Sequence, residues 1–395
     1  MAPSIDNGPM HDRASIAAFA GLASLAVAMG IGRFAFTPLM PMMQCDAALT
    51  VAEGGWLASA NYVGYLVGGL SAVALRLAPS LAIRAGLAAV GVATLAMGLS
   101  ANMAAWLALR AVAGVASAWV LVFASAWCLE RLQVPSRSRQ AVLSATVFSG
   151  VGIGIALTGV ACIVLAIAQT TSAFAWIVLG VLALLGTLAA WSVFAPVAGT
   201  PARRETPRLA WNADTLRLVA CYGAFGFGYI IPATFLSSMA REAASDPAIY
   251  GWSWPAFGLA AAGSTFAAAL LRRRCFTDRG LWIAGHLAMA AGVVAPLAWR
   301  GLGGIVASAL LVGGTFMAVT MVGMQEARRV AGADSRPLIA AMTAAFAAGQ
   351  VAGPLAVSAL AARGAGFAPA LWIAAAVLVA SAVALVPFRQ SRRSP

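Results

Sequence analysis

Two arginines stand where apolar sequence should exclude them. Arg33 lies in Gly30-Ile31-Gly32-Arg33-Phe34-Ala35-Phe36-Thr37-Pro38, and Arg110 opens Arg110-Ala111-Val112-Ala113-Gly114; both sit inside stretches long enough to cross a bilayer. A guanidinium at mid-membrane depth costs about 2.5–3.5 kcal/mol on insertion scales, so it faces a protein interior or reaches for an interface. Counting about 1.5 Å per residue places Arg33 roughly 15 Å, and Arg110 and Asn61 roughly 10–12 Å, below the outer ends of their stretches. Thr37 follows Arg33 by one turn, Tyr229 stands at the depth of Arg33, and Gln350 lies near the midplane of its own stretch. Guanidinium, amide and hydroxyl groups at one depth can bind a small polar solute. All 12 acidic residues fall in tails, loops or helix ends, with Glu53, Asp214 and Glu326 nearest to a span, so no carboxylate is placed to neutralise either arginine. A solute that brings its own negative charge, as carboxylate, sulfonate or phosphate, is the expected ligand. Blander roles stand beside this one. Arg33 could snorkel to headgroups, Arg110 could lock neighbouring carbonyls, Asn61 could make an interhelical hydrogen bond, and Tyr229 and Gln350 could simply pack.

The elements that must position these groups follow from composition. Hydrophobic residues make up 62% of the 395-residue chain and charged residues 9%, which marks a polytopic membrane protein. Cutting at charged or Pro/Gly-rich breaks gives twelve spans, at roughly 15–43, 54–75, 81–99, 103–128, 140–168, 172–194, 214–239, 250–271, 280–299, 302–325, 337–362 and 367–387. The runs are long and Ala/Leu-rich without outer-membrane alternation, so helices are expected rather than barrel strands. The first span is longer than a signal-peptide core and is read as a retained helix.

Arginine placement tests the layout independently. With twelve spans, 19 of the 25 basic residues fall on one side (Arg13, Arg76, Arg84, Arg131, Arg137, Arg139, Arg203, Arg204, Arg208, Arg272, Arg273, Arg274, Arg279, Arg328, Arg329, Arg336, Arg389, Arg392 and Arg393) and only Arg241, Arg300 and Arg363 on the other. Basic residues are retained on the cytoplasmic side, so both termini are expected there. The Pro- and Arg-containing stretch 195–213 becomes a cytoplasmic linker between bundles at 1–194 and 214–395.

The halves echo each other. The opening segment returns 196 positions later as Gly226-Phe227-Gly228-Tyr229-Ile230-Ile231-Pro232-Ala233-Thr234, and Gly55-Trp56 returns at the same offset as Gly251-Trp252. At an offset of 199, Ser136-Arg137, Gly150 and Gly154 return as Ser335-Arg336, Gly349 and Gly353. A Gly-x-Gly loosens a helix, so both copies are expected on interrupted helices of the kind that hold solute in internally repeated carriers. Gly30, Gly32, Gly114, Gly150, Gly154, Gly226, Gly228, Gly349 and Gly353 are expected to let helices approach closely and slide. Trp252 and Trp254 are assigned to the interfacial aromatic belt.

Several classes drop out. The five cysteines are far apart with no C-x-x-C pair, so neither a disulfide framework nor a metal site is expected. With only His11 and His286, no H-E-x-x-H or comparable cluster can be built, and no catalytic residue or cofactor is assigned. His286 is expected to pack. The chain has no lysine and hence no phosphate-binding G-x-x-x-x-G-K loop, and its basic residues form no stripe that would hold nucleic acid.

Twelve helices in two related halves resemble the major facilitator superfamily. More narrowly, Gly32-Arg33-Phe34-Ala35-Phe36-Thr37-Pro38-Leu39-Met40-Pro41, Gly55-Trp56-Leu57-Ala58-Ser59-Ala60-Asn61-Tyr62-Val63-Gly64-Tyr65 and Gly226 to Leu236 resemble hallmark segments of its bacterial YbfB/YjiJ-type branch. The resemblance covers essentially the whole chain. It implies an all-α fold of two pseudo-symmetric six-helix bundles in the bacterial cytoplasmic membrane, alternating access, a small-molecule substrate, a monomer, and a role for the Arg110-x-x-x-Gly114 arginine in coupling or binding. Gly150-x-x-x-Gly154 resembles the antiporter motif but lacks its proline, and the loop after the second helix lacks the usual aspartate. Proton-coupled efflux of drug-like compounds, a proton carried on the substrate, facilitated diffusion and a non-transporting sensor all remain open, as do uptake and efflux.

Overall fold

The computed structural model describes residues 8–74, 78–132, 137–194, 211–272, 277–331 and 335–386. Most of the expected linker, 195–210, lies outside the described residues, as do Arg76, Arg203, Arg204, Arg208, Arg273, Arg274, Arg389, Arg392 and Arg393. Among the described residues every regular element is helical. The first span is α1 (Gly8–Leu25), a π-helical segment (Ala26–Ile31), a run of turns and α2 (Phe36–Asp46). Next come α3 (Val51–Ala74), α4 (Pro79–Met97), α5 (Met103–Arg131), α6 (Arg137–Ile167) and α7 (Ser172–Trp191). The second half holds α8 (Ala213–Ala243), a one-turn α9 (Pro247–Tyr250), α10 (Ser253–Arg272), α11 (Asp278–Ala298), α12 (Leu302–Ala331), α13 (Arg336–Ala361) and α14 (Ala368–Leu385). Counting α1 to α2 as one and α9 as a stub gives twelve crossings in two six-helix bundles.

Polar caps set several boundaries. The Asn102 side chain accepts from the amides of Ala104 and Ala105 at the start of α5, and Asn212 with Thr215 forms a reciprocal capping box at the start of α8. Among the described residues ten crossings are long and apolar enough to span a membrane by length and composition. α3 lies against α13 and α10 against α6, so each turns one face to the other half of the molecule rather than to lipid. Protein-facing sides tolerate the Asn, Ser, Thr and Gly that lower hydropathy.

Glycines set these approaches. A Cβ on Gly150 or Gly154 would meet the backbone of Leu22 or Ala26, and one on Gly349 the backbone of Gly223 and Phe227, so α6 lies on the first span as α13 lies on α8. Gly114 meets Asn61 and Tyr65, Gly226 meets Phe346, and Gly228 meets Leu378. Gly55 packs on Ser358 of α13 and Gly251 on Ile163 of α6, so the repeated glycines make equivalent contacts across the two halves. Gly154→Ala should cost about 1–3 kcal/mol. Its Cβ would come 2.5 Å from the Ala26 carbonyl oxygen and 2.6 Å from its Cα, and backbone cannot swing aside. The measurement is thermal unfolding in detergent, and an unchanged midpoint would contradict the packing argument.

Two expectations need correction. The first Gly-x-Gly does fall on an interrupted helix, but Gly226-x-Gly228 sits within unbroken α8, where both glycines serve close packing instead. Trp252 is exposed, as a belt residue should be, whereas Trp254 is fully buried, stacked on Phe257 at 4.9 Å and tilted against Phe34 at 6.1 Å. The next turn of α10 faces inward.

The two faces differ. At the face where neither α1 begins nor α14 ends, the halves are tied together. Thr37 Oγ1 donates to the Ala233 carbonyl (2.6 Å), and Tyr62 and Thr234 share a hydroxyl–hydroxyl bond (3.1 Å). Ser59 Oγ donates to Val351 O (3.2 Å) and Ser358 Oγ to Ala52 O (2.9 Å). Arg241 Nη1 reaches Pro41 O (2.9 Å) and Cys45 Sγ (2.7 Å). At the opposite face the halves part around a cavity.

Candidate functional site

The site is built on the break in the first span. Gly32 N and Phe34 N reach back five residues, to Val27 O and Met29 O (both 3.0 Å). Pro38 has no N–H to offer Phe34 O; the Thr37 amide turns to that carbonyl instead (3.2 Å), which leaves Arg33 O without a helical donor. Arg110 supplies it. Its Nη2 donates to Arg33 O (3.0 Å) and its Nη1 to Gly32 O (3.3 Å), while Asn61 Nδ2 donates to Gly32 O (3.3 Å) and Arg110 O (2.9 Å). Ser117 Oγ closes on Ala28 O (2.7 Å). Arg33, Asn61 and Arg110 therefore do converge, but Arg110 and Asn61 turn to backbone carbonyls and neither lines the cavity.

Arg33 points the other way. It is 2% exposed, and it lines a cavity of about 530 Å³. The cavity runs from Met29 and Arg33 to Leu70, Ser125, Met324 and Ile339, within about two turns of the helix ends at the face where α1 begins and α14 ends. Rings surround the guanidinium: its Cζ lies 4.1 Å from the centroid of Tyr65 and 5.1 Å from those of Tyr62 and Phe34. Nε and Nη2 have no hydrogen-bond partner.

The second half supplies an aromatic wall. Tyr229 is fully buried and stacked between Phe316 (4.6 Å) and Phe346 (5.5 Å), both of which line the cavity. Gln350 donates through Nε2 to the Tyr229 hydroxyl, so these two residues brace the wall from behind instead of touching the cavity. Thr37 is engaged with Ala233. Of the six residues singled out as ligands, Arg33 alone lines the cavity. Tyr65, Tyr222, Phe316 and Phe346 went unnoticed in the sequence. The spacing of Tyr222, Phe225 and Tyr229 on one helical face was the available signal, since residues 3 and 7 apart form one ridge.

The described acidic residues stay apart from the site. Glu326 is buried but bound to Arg279 Nε (2.7 Å) and Arg329 Nη2 (2.6 Å), and Arg279 Nη2 also holds Asp214 (2.9 Å), tying the ends of α8, α11 and α12. Glu53 caps its own helix through the Thr50 amide (2.9 Å). His286 accepts a hydrogen bond from Trp282 (2.8 Å) in the interior of the second half and does not line the cavity. Among the described residues no His/Cys/Asp/Glu group could hold a metal ion.

Comparison with known proteins agrees with this architecture. Residues 25–386 match the model of a family described as the uncharacterised MFS-type transporter YbfB, where MFS denotes the major facilitator superfamily. The crystal structure of a mutant of the nucleoside transporter NupG superposes with a TM-score of 0.72 at 12% identity, over 95% of this chain and 98% of that one. At that identity the likeness is one of fold. No curated protein matches the chain.

Proposed function

The chain belongs to the family of MFS-type transporters described by YbfB, an integral membrane transporter rather than an enzyme, and from that premise we propose that it carries a small organic anion by alternating access. The observation that carries this reading is Arg33. A buried guanidinium with two unpartnered donors lines an open cavity, and no carboxylate is bound to it among the described residues. A solute anion would complete it. Arg110, Asn61 and Thr37 then act by holding the broken first span in place, and Tyr229 with Gln350 by bracing the wall.

The hydrogen bonds across the closed face and the cavity at the other fit one state of a two-state carrier, with the bundles at 1–194 and 214–395 rocking about the site and the close glycine contacts acting as sliding surfaces. The arginine bias supports both termini, and so the open face, being cytoplasmic in a bacterial inner membrane. Among the described residues no acidic side chain lines the cavity, which favours a proton borne by the solute, or facilitated diffusion, over a proton carried by the protein. The mostly apolar lining also suits efflux of drug-like compounds, the rival reading.

Purified protein in liposomes under imposed pH and voltage gradients tests the proposal. Saturable movement of organic anions is expected. A preference for organic cations that survives Arg33→Ala would overturn it.

A further inference from the structure

The cavity says more about the solute than its charge, provided the organic-anion reading above holds. Three rings crowd the guanidinium of Arg33, those of Tyr65, Tyr62 and Phe34, and narrow the directions from which a ligand can reach it. The two donors left without partners are Nε and Nη2, which together make one edge of the guanidinium. That edge, buried in this state, carries two parallel N–H groups at the spacing of the two oxygens of a carboxylate.

Beyond this edge the surroundings change character. Among the described residues Arg33 is the only charged one lining the cavity, because Arg110 is turned to the carbonyls of Gly32 and Arg33. Polar partners are few: Thr320 and Thr343 direct their hydroxyls to the carbonyls of Phe316 and Ile339 on their own helices. Ser125 Oγ is buried without a partner, and Tyr65 and Tyr222 are the other hydroxyl-bearing residues of the lining. The remaining lining is aliphatic or aromatic, with Phe316 and Phe346 held rigid by Tyr229 stacked between them.

We propose that the transported solute is an amphipathic monocarboxylate: one carboxylate seated edge-on against Arg33, and one apolar or aromatic body lying along the Phe316 and Phe346 wall. A second negative charge would lie in apolar surroundings without a counter-ion. A polyhydroxylated body would give up its water for two or three hydrogen bonds at most. A neutral isostere of the acid would leave the Arg33 edge buried and unpaired.

The test is uptake by wild-type protein in liposomes, with phenylacetate and naphthoate as probes against phenylacetamide, phthalate, gluconate and benzyltrimethylammonium. The two aryl monocarboxylates should move saturably, and the amide, the dicarboxylate and the polyol acid at least about 30-fold more slowly, the loss expected when a buried charge pair is broken. Phthalate or gluconate carried as fast as phenylacetate would overturn this inference and leave the organic-anion reading standing. Movement of benzyltrimethylammonium or phenylacetamide alone would overturn both, and no saturable movement of either aryl acid would overturn the inference. Arg33→Lys keeps the charge but not the two-donor edge, so phenylacetate uptake should fall at least about tenfold. Uptake at the wild-type rate would refute the edge-on seat.

Discussion

Replacing Arg33 with methionine should abolish transport, by at least about a hundredfold, and yet leave the purified protein as stable as the wild type or more so. The two effects share one cause. Methionine keeps most of the volume and the contacts with Tyr65, Tyr62 and Phe34 while removing a charge whose Nε and Nη2 have no protein partner. A buried charge that nothing answers costs stability, and ring contacts worth about 0.5–2 kcal/mol return only part of it. Function and folding are therefore opposed at this position. Thermal unfolding of the substrate-free protein, measured beside liposome uptake, separates them. A clear drop in the unfolding midpoint would mean that Arg33 is a structural residue and that its placement at the cavity is incidental.

Arg110→Met should give the reverse pattern. Two charge-assisted bonds to Gly32 O and Arg33 O disappear, leaving Gly32 O with the longer Asn61 bond and Arg33 O without its side-chain donor. At roughly 1.5–3 kcal/mol for each such bond, the expected loss is about 3–6 kcal/mol. Transport falls as well, because the segment bearing Arg33 loses its anchor. A variant that unfolds at the wild-type temperature but has lost only affinity for solute would place Arg110 among the ligands instead. Comparing the two methionine variants thus separates a residue that holds the solute from one that holds the helix.

Why the sequence distinguished these arginines so poorly is a matter of geometry. Depth along a span can be counted from residue number, and Arg33, Asn61 and Arg110 do meet at one level. Direction is harder. Around a regular helix it comes from a period of 3.6, but the first span is broken by a π turn and then by Pro38, and each irregularity rotates the residues beyond it. The side of the first span from which Arg33 projects could not be counted from either end. The crossings themselves were legible because each is bounded by charge, proline or a capping Asn or Thr, and a long apolar run has few other places to be.

The Gly-x-Gly repeat misled in an instructive way. In the first copy, the broken ladder releases carbonyls that Arg110 and Asn61 capture; in the second, Leu378 and the Phe346 backbone fill the space beside Gly226 and Gly228, and α8 stays helical even across Pro232. One motif therefore yields two structures. The C-terminal half keeps a rigid aromatic wall, and the N-terminal half keeps the irregular segment that carries the charge.

The contacts Thr37 to Ala233 and Cys45 to Arg241 each join residues 196 positions apart, the same number that relates one half to the other. Counterparts can touch only where the molecule's approximate two-fold axis passes between them. In a dimer of two identical half-length subunits, any residue on that axis would face its own copy, so an arginine could meet only another arginine there and a pairing of unlike side chains would be barred by symmetry. Covalent continuity lifts the bar: the two places can hold different residues, so the seam proposed to open in transport can be made strong or weak on one side without a mirrored change on the other.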